Sequence, residues 1–353
     1  MMMYDADHTL AASRPDPGAA FPPAQAEAST TSTVARAVET PRTVVQCYDF
    51  LDRFLPECGI WDLTDGLYHG DPSTPHEHAQ HKQVEWLLDQ VHCQRGSRIL
   101  EIGCGNGRLL RTAGERGAEA IGVNVSRLQV EHCRAHGLDA RLMDYREIDE
   151  SWNERFDAVI LNGCIEHFVQ AEDVRAGRAD EIYRELFRIC HRVIDPASPS
   201  RRMATTTIHL NERTPKLAPD EVTKSPFDFP WFSDKFHYAM VTRCFGGSYP
   251  HSGQFERCAS PHFRLLDEVD GTLDYHFTSE EWLRRGRRTL LIPGPAAFRI
   301  WQGVLTLLFR QPRHAATMWL CLFITDSWQR QFRGEHPPTT LLRKTWEYVP
   351  ARA

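Results

Sequence analysis

The sequence predicts an α/β fold, a doubly wound and mainly parallel seven-stranded sheet with an insertion after the fifth strand. Three observations carry this expectation. A short apolar strand, Ile99 to Ile102, runs into a turn with glycine at every second position, Gly103, Gly105 and Gly107, and a helix begins near Arg108. From there strands and helices alternate as far as Leu210, the pattern of a parallel sheet with crossover helices. Over residues 211–260 the alternation breaks and prolines and aromatic residues take over.

The glycine turn is the chemical centre. Glycines there permit a sharp bend and let backbone amides approach a ligand with no Cβ in the way. The helix that follows aims its first N–H groups at the same place. The dinucleotide fingerprint G-x-G-x-x-G is not met, because its sixth position is Arg108. With Glu101 two residues ahead of the first glycine, the pattern E/D-x-G-x-G-x-G resembles motif I of the class I S-adenosylmethionine (SAM)-dependent methyltransferases. A SAM site is therefore expected.

Composition narrows the setting. The chain has 353 residues, 41% of them hydrophobic and 25% charged, which is ordinary for a globular protein. A formal net charge of −6 gives no basic field, so nucleic acid is not an expected partner. The longest apolar run, Ala315 to Thr325, is too short to span a bilayer and reads as a buried helix. No basic segment followed by an apolar stretch marks a secretory signal. Ten scattered cysteines form no C-x-x-C pair, and a reduced, cytoplasmic protein is expected.

In chain order, residues 1–40 are rich in Ala, Pro, Ser and Thr and are expected to be a disordered tail. The methyltransferase domain is expected over 41–353. A helix is predicted from Thr43 to Leu55, then an aromatic loop at 59–70, then a helix from His76 to Val91. The histidines at 76, 78 and 81 admit a metal reading, but no further ligand joins them and a solvated helix start is the simpler expectation; no metal is assigned. Strands follow at Glu119 to Asn124, Leu138 to Met143, Phe156 to Asn162 and Met203 to Leu210. Helices are placed at about 107–117, from Ser126 as N-cap to His136, and from Ile182 to Ile194. The 211–260 insertion is either a lid over the site or a structural extension packed on the sheet. A sixth strand is expected at Phe263 to Val269 and a last one at Leu341 to Val349. The segment 279–335 between them is expected to be largely helical, with a break near Pro312.

The ends of the parallel strands supply the candidate ligands. Asn124 and Gln129 stand where the ribose is met after strand two. Asp144 and Tyr145 follow strand three, to accept from the adenine amino group and to stack on the ring. Glu166 and His167 follow strand four, where acceptor and methyl group meet, and a carboxylate beside a histidine suits base chemistry.

Beyond motif I the chain resembles the cyclopropane-fatty-acid synthases and mycolic-acid cyclopropane synthases, whose relatives include coclaurine-type N-methyltransferases. Gly122-Val123-Asn124-Val125-Ser126 with Gln129 is similar to that family's G-V-T-L-S-x-x-Q. Ile165-Glu166-His167 stands where it has F-E-H, and Phe245 to Pro250 resembles F-P-G-G-x-L-P. The run from Pro261 through Tyr275 to Trp282 resembles the stretch ending in Y-x-x-T-L-x-x-W. The resemblance implies a Rossmann-like fold and fatty-acid cyclopropanation in lipid biosynthesis. It implies methyl transfer to a cis double bond of an acyl chain and ring closure with help from bound bicarbonate. It assigns bicarbonate contacts to the side chains of Glu166 and Tyr275 and the backbone of Ile208, and it adds Asp65 and Val125 to the cofactor contacts.

Three positions depart from the family pattern. Its L-H-T-I reads Thr205-Thr206-Thr207-Ile208, so Thr206 replaces a histidine and weaker bicarbonate binding is expected. Its Y-S-C-A-Y-W loop reads Thr64 to His69, with Gly66 expected to offer a backbone N–H. Asn106 stands at a usual tryptophan. Three functions therefore stay open: methylation of an unsaturated acyl lipid to a ring or a branch, N-methylation of a small amine, and SAM binding without catalysis. For the first, the basic run Arg284-Arg285-Gly286-Arg287-Arg288 could touch an anionic membrane, though a solvated helix face explains it as well.

Overall fold

Burial on both faces decides the central strands. Ile99, Leu100 and Ile102 in the first, and Val159, Ile160 and Leu161 in the fourth, are all buried, because helices cover each side of the sheet. The computed structural model describes residues 42–350, so the tail expected at 1–40 lies outside them. Helices α1 (Arg42–Phe54) and α2 (His76–Gln90) precede β1 (Arg98–Ile102), followed by α3 (Arg108–Glu115), β2 (Glu119–Asn124), α4 (Arg127–Ala135) and β3 (Asp139–Leu142). Next come β4 (Ala158–Asn162), the short α5 (Ala171–Arg175), α6 (Ala179–Val193) and β5 (Arg202–Leu210). The remainder is α7 (Asp234–Phe245), α8 (Gln254–Ala259), β6 (Phe263–Asp270), α9 (Thr272–Leu291), α10 (Pro295–Arg310), α11 (Pro312–Trp319), α12 (Ser327–Arg330) and β7 (Thr339–Tyr348).

The strands lie in the order β3-β2-β1-β4-β5-β7-β6. All pairs are parallel except those of β7, which runs antiparallel to both β5 and β6. The order reverses between β1 and β4, and a crevice opens beyond their C-terminal ends. The fold is that of a mainly parallel seven-stranded sheet, as the alternation of elements predicts.

Local chemistry explains where boundaries move. Helix α9 starts well before the expected Ser279, with Gly271 as its N-cap and the Asp270 carboxylate just ahead accepting the N–H of Thr272 at 2.8 Å. Ser126 caps α4 as expected, accepting from Gln129 at 3.4 Å. Two helices, α7 and α8, occupy the 211–260 stretch. Ser233 caps α7, whose Phe236, Met240 and Cys244 pack with Phe50 and Phe54 of α1 and with Met318 and Cys321. Together they form an apolar core distinct from that of the sheet.

The expected solvated start of α2 is only partly so. His78 and His81 are exposed, but His76 is buried. Its Nε2 accepts from the Trp282 indole at 2.9 Å, leaving Nδ1–H for the Tyr68 hydroxyl at 2.8 Å. Burial pulls its pKa down to about 4, so it is a neutral clamp. Among the described residues no cluster could hold a metal ion.

Strand β7 carries two basic residues into the interior. Arg343 is 1% exposed. Its guanidinium donates to Asp65 at 2.8 Å, Asp274 at 2.9 Å, Gln83 at 2.6 Å and the Gly66 carbonyl at 3.1 Å. Glycine is required at 271, where a Cβ would lie 2.1 Å from the Arg343 Nη1. Lys344, equally buried, pairs with Glu256 and, at 2.9 Å, with Glu268. Removing one member of a buried ion cluster leaves its partners uncompensated. Arg343→Met is expected to cost about 3–5 kcal/mol in urea unfolding, and adding Asp65→Asn and Asp274→Asn should recover most of that loss.

Candidate active site

Two connected cavities lie beyond the strand ends. The first is built around the turn after β1. Gly103 and Gly105 have φ of +79° and +49° and line it. A Cβ on Gly103 would meet Cys164 at 2.5 Å, whereas Gly105 faces open space. Gly107 (φ +79°) does not line the cavity; a Cβ there would strike Leu138 and Cys133, so this glycine lets α3 pack against α4 and β3. Glu101 is buried on the wall with Oε2 lacking any hydrogen-bond partner, and burial pushes its pKa well up. An unpartnered carboxyl group beside a glycine turn suits the ammonium of an amino-acid ligand.

After β2, Asn124, Val125 and Gln129 all line this cavity. Asn124 donates to Gln129 Oε1 at 2.7 Å and accepts from the Ser126 N–H at 3.3 Å. Gln129 donates in turn to Asp52 at 2.9 Å, and Ser126 donates to the other Asp52 oxygen at 3.2 Å. Asp52 of α1 thus brings a carboxylate beside Asn124, a pairing that suits a diol. After β3, Asp144 caps the turn at Tyr145 and is gripped by Arg146 at 2.8 and 2.9 Å. Tyr145 stacks on Phe168 with ring centroids 4.4 Å apart, forming an aromatic wall. Ammonium, diol and aromatic ring therefore each find complementary groups, and these residues fit SAM.

The second cavity shares Tyr48, Leu51, Leu55, Leu63, Asn162, Gly163 and His167 with the first. Apart from Asp65, Glu166, Thr206, Thr242 and Gln329, the rest of its wall is largely apolar, from Ile208, Val241, Phe245, Leu283, Leu322 and Phe323, with Tyr249, Tyr275, Trp282 and Trp328 adding aromatic faces. Asp65 lies here and not in the first cavity, with its carboxylate turned to Arg343. Burial outweighs that partner and raises the Asp65 pKa to about 6.

Glu166 lines the second cavity, next in the chain to His167, which lines both. Its Oε1 accepts the Ile208 N–H at 2.7 Å, while Oε2 is buried without a partner. Burial raises its pKa to about 7 against the opposing effect of that hydrogen bond. Gly247 (φ +107°) is needed behind it, since a Cβ would come within 2.1 Å of the Glu166 carbonyl oxygen. His167 donates through Nδ1 to the Gly246 carbonyl at 3.0 Å and accepts the Tyr48 hydroxyl proton at Nε2, 2.9 Å away. Burial lowers its pKa, so it clamps α1 to the site as a neutral ring. Tyr275 lines the cavity and packs on Phe332 at 4.4 Å, with its phenol pKa raised by burial.

The donors assigned to bicarbonate are differently engaged. Ile208 gives its N–H to Glu166, and Gly66 gives its own to Thr278 at 2.9 Å. The Thr206 hydroxyl accepts from Gln83 at 3.1 Å. The wall carries two carboxylates and neither lysine nor arginine. This donor set does not fit a second anion.

Sequence reasoning missed Tyr48, Asp52, Gln83 and Arg343. Tyr48 and Asp52 are four apart on a helix read only for its apolar face, and that spacing marks a second, polar stripe. Arg343-Lys344 inside an otherwise strand-like run was the comparable signal for buried ion pairs.

Known proteins agree with this architecture. The chain is 24% identical over 242 residues to the cyclopropane-fatty-acyl-phospholipid synthase of Escherichia coli K12, covering 67% of this chain and 52% of that protein. It is 29% identical over 134 residues to a ubiquinone biosynthesis O-methyltransferase of Hahella chejuensis, covering 36% and 50%. The chain thus spans about half the length of the curated relatives it matches. Among solved structures, the cyclopropane synthase MmaA2 of Mycobacterium tuberculosis superposes with a TM-score of 0.61 at 18% identity, over 87% of this chain and 98% of that one. The mycolic acid cyclopropane synthase CmaA1, complexed with SAH and CTAB, gives 0.63 at 17% identity, over 87% and 99%. The family profile described as mycolic acid cyclopropane synthetase matches residues 49–289, and the chain belongs to that family.

Proposed function

We propose that this protein transfers the SAM methyl carbon to the double bond of an unsaturated acyl lipid, and that Glu166 then serves as the base. The observation that carries the reading is the placement of Glu166. Its unpartnered oxygen belongs to the wall of the second, largely apolar cavity, beside His167, which also lines the cavity built on the glycine turn. SAM, when bound, supplies an electrophilic methyl group. The glycine turn and Glu101 hold its amino-acid end, Asp52 and Asn124 its ribose, and Tyr145 its adenine. The aliphatic wall aligns an acyl chain, and the 211–260 insertion contributes part of it through Val241 and Phe245.

The residues of the second cavity suit the charge that develops. As the alkene π pair bonds to the methyl carbon and the carbon–sulfur pair returns to sulfur, positive charge appears on the chain. Trp282, Trp328, Tyr249 and Tyr275 offer ring faces to it, and ionised Glu166 offers a counter-charge. Proton removal from the added methyl forms Glu166 Oε2–H, and the C–H pair closes the ring. Bicarbonate is not needed in this scheme, consistent with Thr206, the engaged N–H donors and the absence of a lining cation. A compact aromatic box for an amine is less well matched, because aliphatic side chains make up so much of the wall.

The test of function uses SAM with a labelled methyl, offered to a cell extract split into lipid and aqueous pools. Label is expected in the lipid pool; label confined to the aqueous pool would contradict the acyl reading. The base must be ionised, so turnover should rise with pH through about 7 and level off above it. Glu166→Gln should retain SAM binding and lose roughly 10²–10⁴-fold in turnover, measured by single-turnover label transfer. Asp52→Asn should weaken SAM binding about tenfold or more by calorimetry. Rates in carbon-dioxide-free buffer should equal those with added bicarbonate.

A further inference from the structure

We infer that α10 docks on an anionic membrane surface and delivers the acyl chain to the second cavity, an inference that rests on the acyl-lipid reading above. The basic run Arg284 to Arg288 is largely neutralised within the molecule. Arg284 pairs with Glu281 at 2.7 Å, Arg285 with Glu77 and Glu281 at 2.7 Å, and Arg287 with Asp326 at 2.6 Å. The open surface lies one helix further on.

Helix α10 is apolar on two faces. Ala297, Ile300 and Val304 are buried, the last two in the second core. Phe298, Trp301, Leu305, Leu308 and Phe309 form a second stripe that is exposed, Phe298 by 69% and Phe309 by 88%. Their spacing of i, i+3, i+7, i+10 and i+11 places them on one side. Leu291 and Ile292, just before the helix, are 79% and 55% exposed and extend the patch. So many large apolar side chains together mark an interaction surface.

Charge names the occupant. Residues 282–325 contain seven arginines and neither aspartate nor glutamate. Among the described residues Arg288, Arg310 and Arg313 are exposed and have no ion-pair partner. Exposed aromatic and aliphatic side chains flanked by unpaired arginines match the boundary between anionic headgroups and acyl chains. No helix among the described residues is long and apolar enough to cross a membrane, so α10 would lie along the surface.

The patch also connects to the site. Trp301 packs on Trp319 at 5.1 Å between ring centroids, and the helical turn that follows, Leu320–Ile324, puts Leu322 and Phe323 into the cavity wall. Helix α9, which leads into α10, contributes Trp282, Leu283 and Gly286 to the same wall. A lipid held at α10 is therefore beside the elements that enclose its chain.

The test is co-sedimentation of the full chain with phosphatidylcholine vesicles, with and without phosphatidylglycerol. Wild type should pellet with the anionic vesicles and far less with neutral ones. Leu305→Ser with Phe309→Ser should lower partitioning roughly tenfold or more. Arg310→Gln with Arg313→Gln should lower it about fivefold per arginine, on anionic vesicles alone. Both variants should transfer methyl to a detergent-dispersed acyl substrate as wild type does. Equal binding by wild type and variants would overturn the inference. So would a concentration-dependent dimer that Phe309→Ser dissociates while no vesicle binding is seen, since the patch would then face a second copy. Absence of transfer to dispersed substrate by wild type would instead defeat the acyl-lipid reading, independently of the vesicle result.

Discussion

A guanidinium buried away from water ties together elements that enclose the second cavity. Arg343 joins β7 to the loop at Asp65, to α2 through Gln83 and to α9 through Asp274. The loop, α9 and β7 line the second cavity through Asp65, Tyr275 and Leu341, and Gln83 passes the connection on to Thr206. A charge so buried is tolerated only with its donors satisfied, so the surrounding geometry is tightly specified. The consequence for chemistry is that the interior cation is already committed, and Glu166 keeps its unpartnered oxygen.

That distribution of charge separates this chain from the family pattern it otherwise follows. Where the pattern has a histidine near the anion site, Thr206 accepts a hydrogen bond from Gln83. Two backbone donors expected to face an anion are turned to Glu166 and Thr278. A small change of residue type has thus been accompanied by a closed hydrogen-bond arrangement, leaving one carboxylate with a raised pKa facing an apolar chamber.

Much of the fold was legible because hydrophobic periodicity and glycine spacing are local signals. The strands from Ile99 to Leu210 and the turn at 103–107 follow directly from them. Helices α7 and α8 were not, since prolines and aromatics mask helical spacing and only the Ser233 cap marks a start. Within the candidate site, Gly103, Gly105, Asn124, Gln129, Tyr145 and Glu166 follow strand ends, where topology places them on cavity walls. Asp52 and Arg343 come from elements distant in sequence and reach the site through packing, which no local pattern records. Gly107 shows the converse: it serves close approach to Leu138 and Cys133 and does not line the cavity.

The apolar surface of α10 adjoins elements that line the apolar cavity, α9 and the turn at Leu320–Ile324, so substrate capture and chemistry are neighbours in this account. The most direct test of its central claim uses SAM with a fully deuterated methyl group and mass spectrometry of the extracted acyl chains. Ring closure through proton removal from the added carbon predicts a product retaining two of the three deuterons, formed by wild type and not by Glu166→Gln. An acyl product retaining all three would contradict the assignment of Glu166 as the base that acts on the transferred carbon.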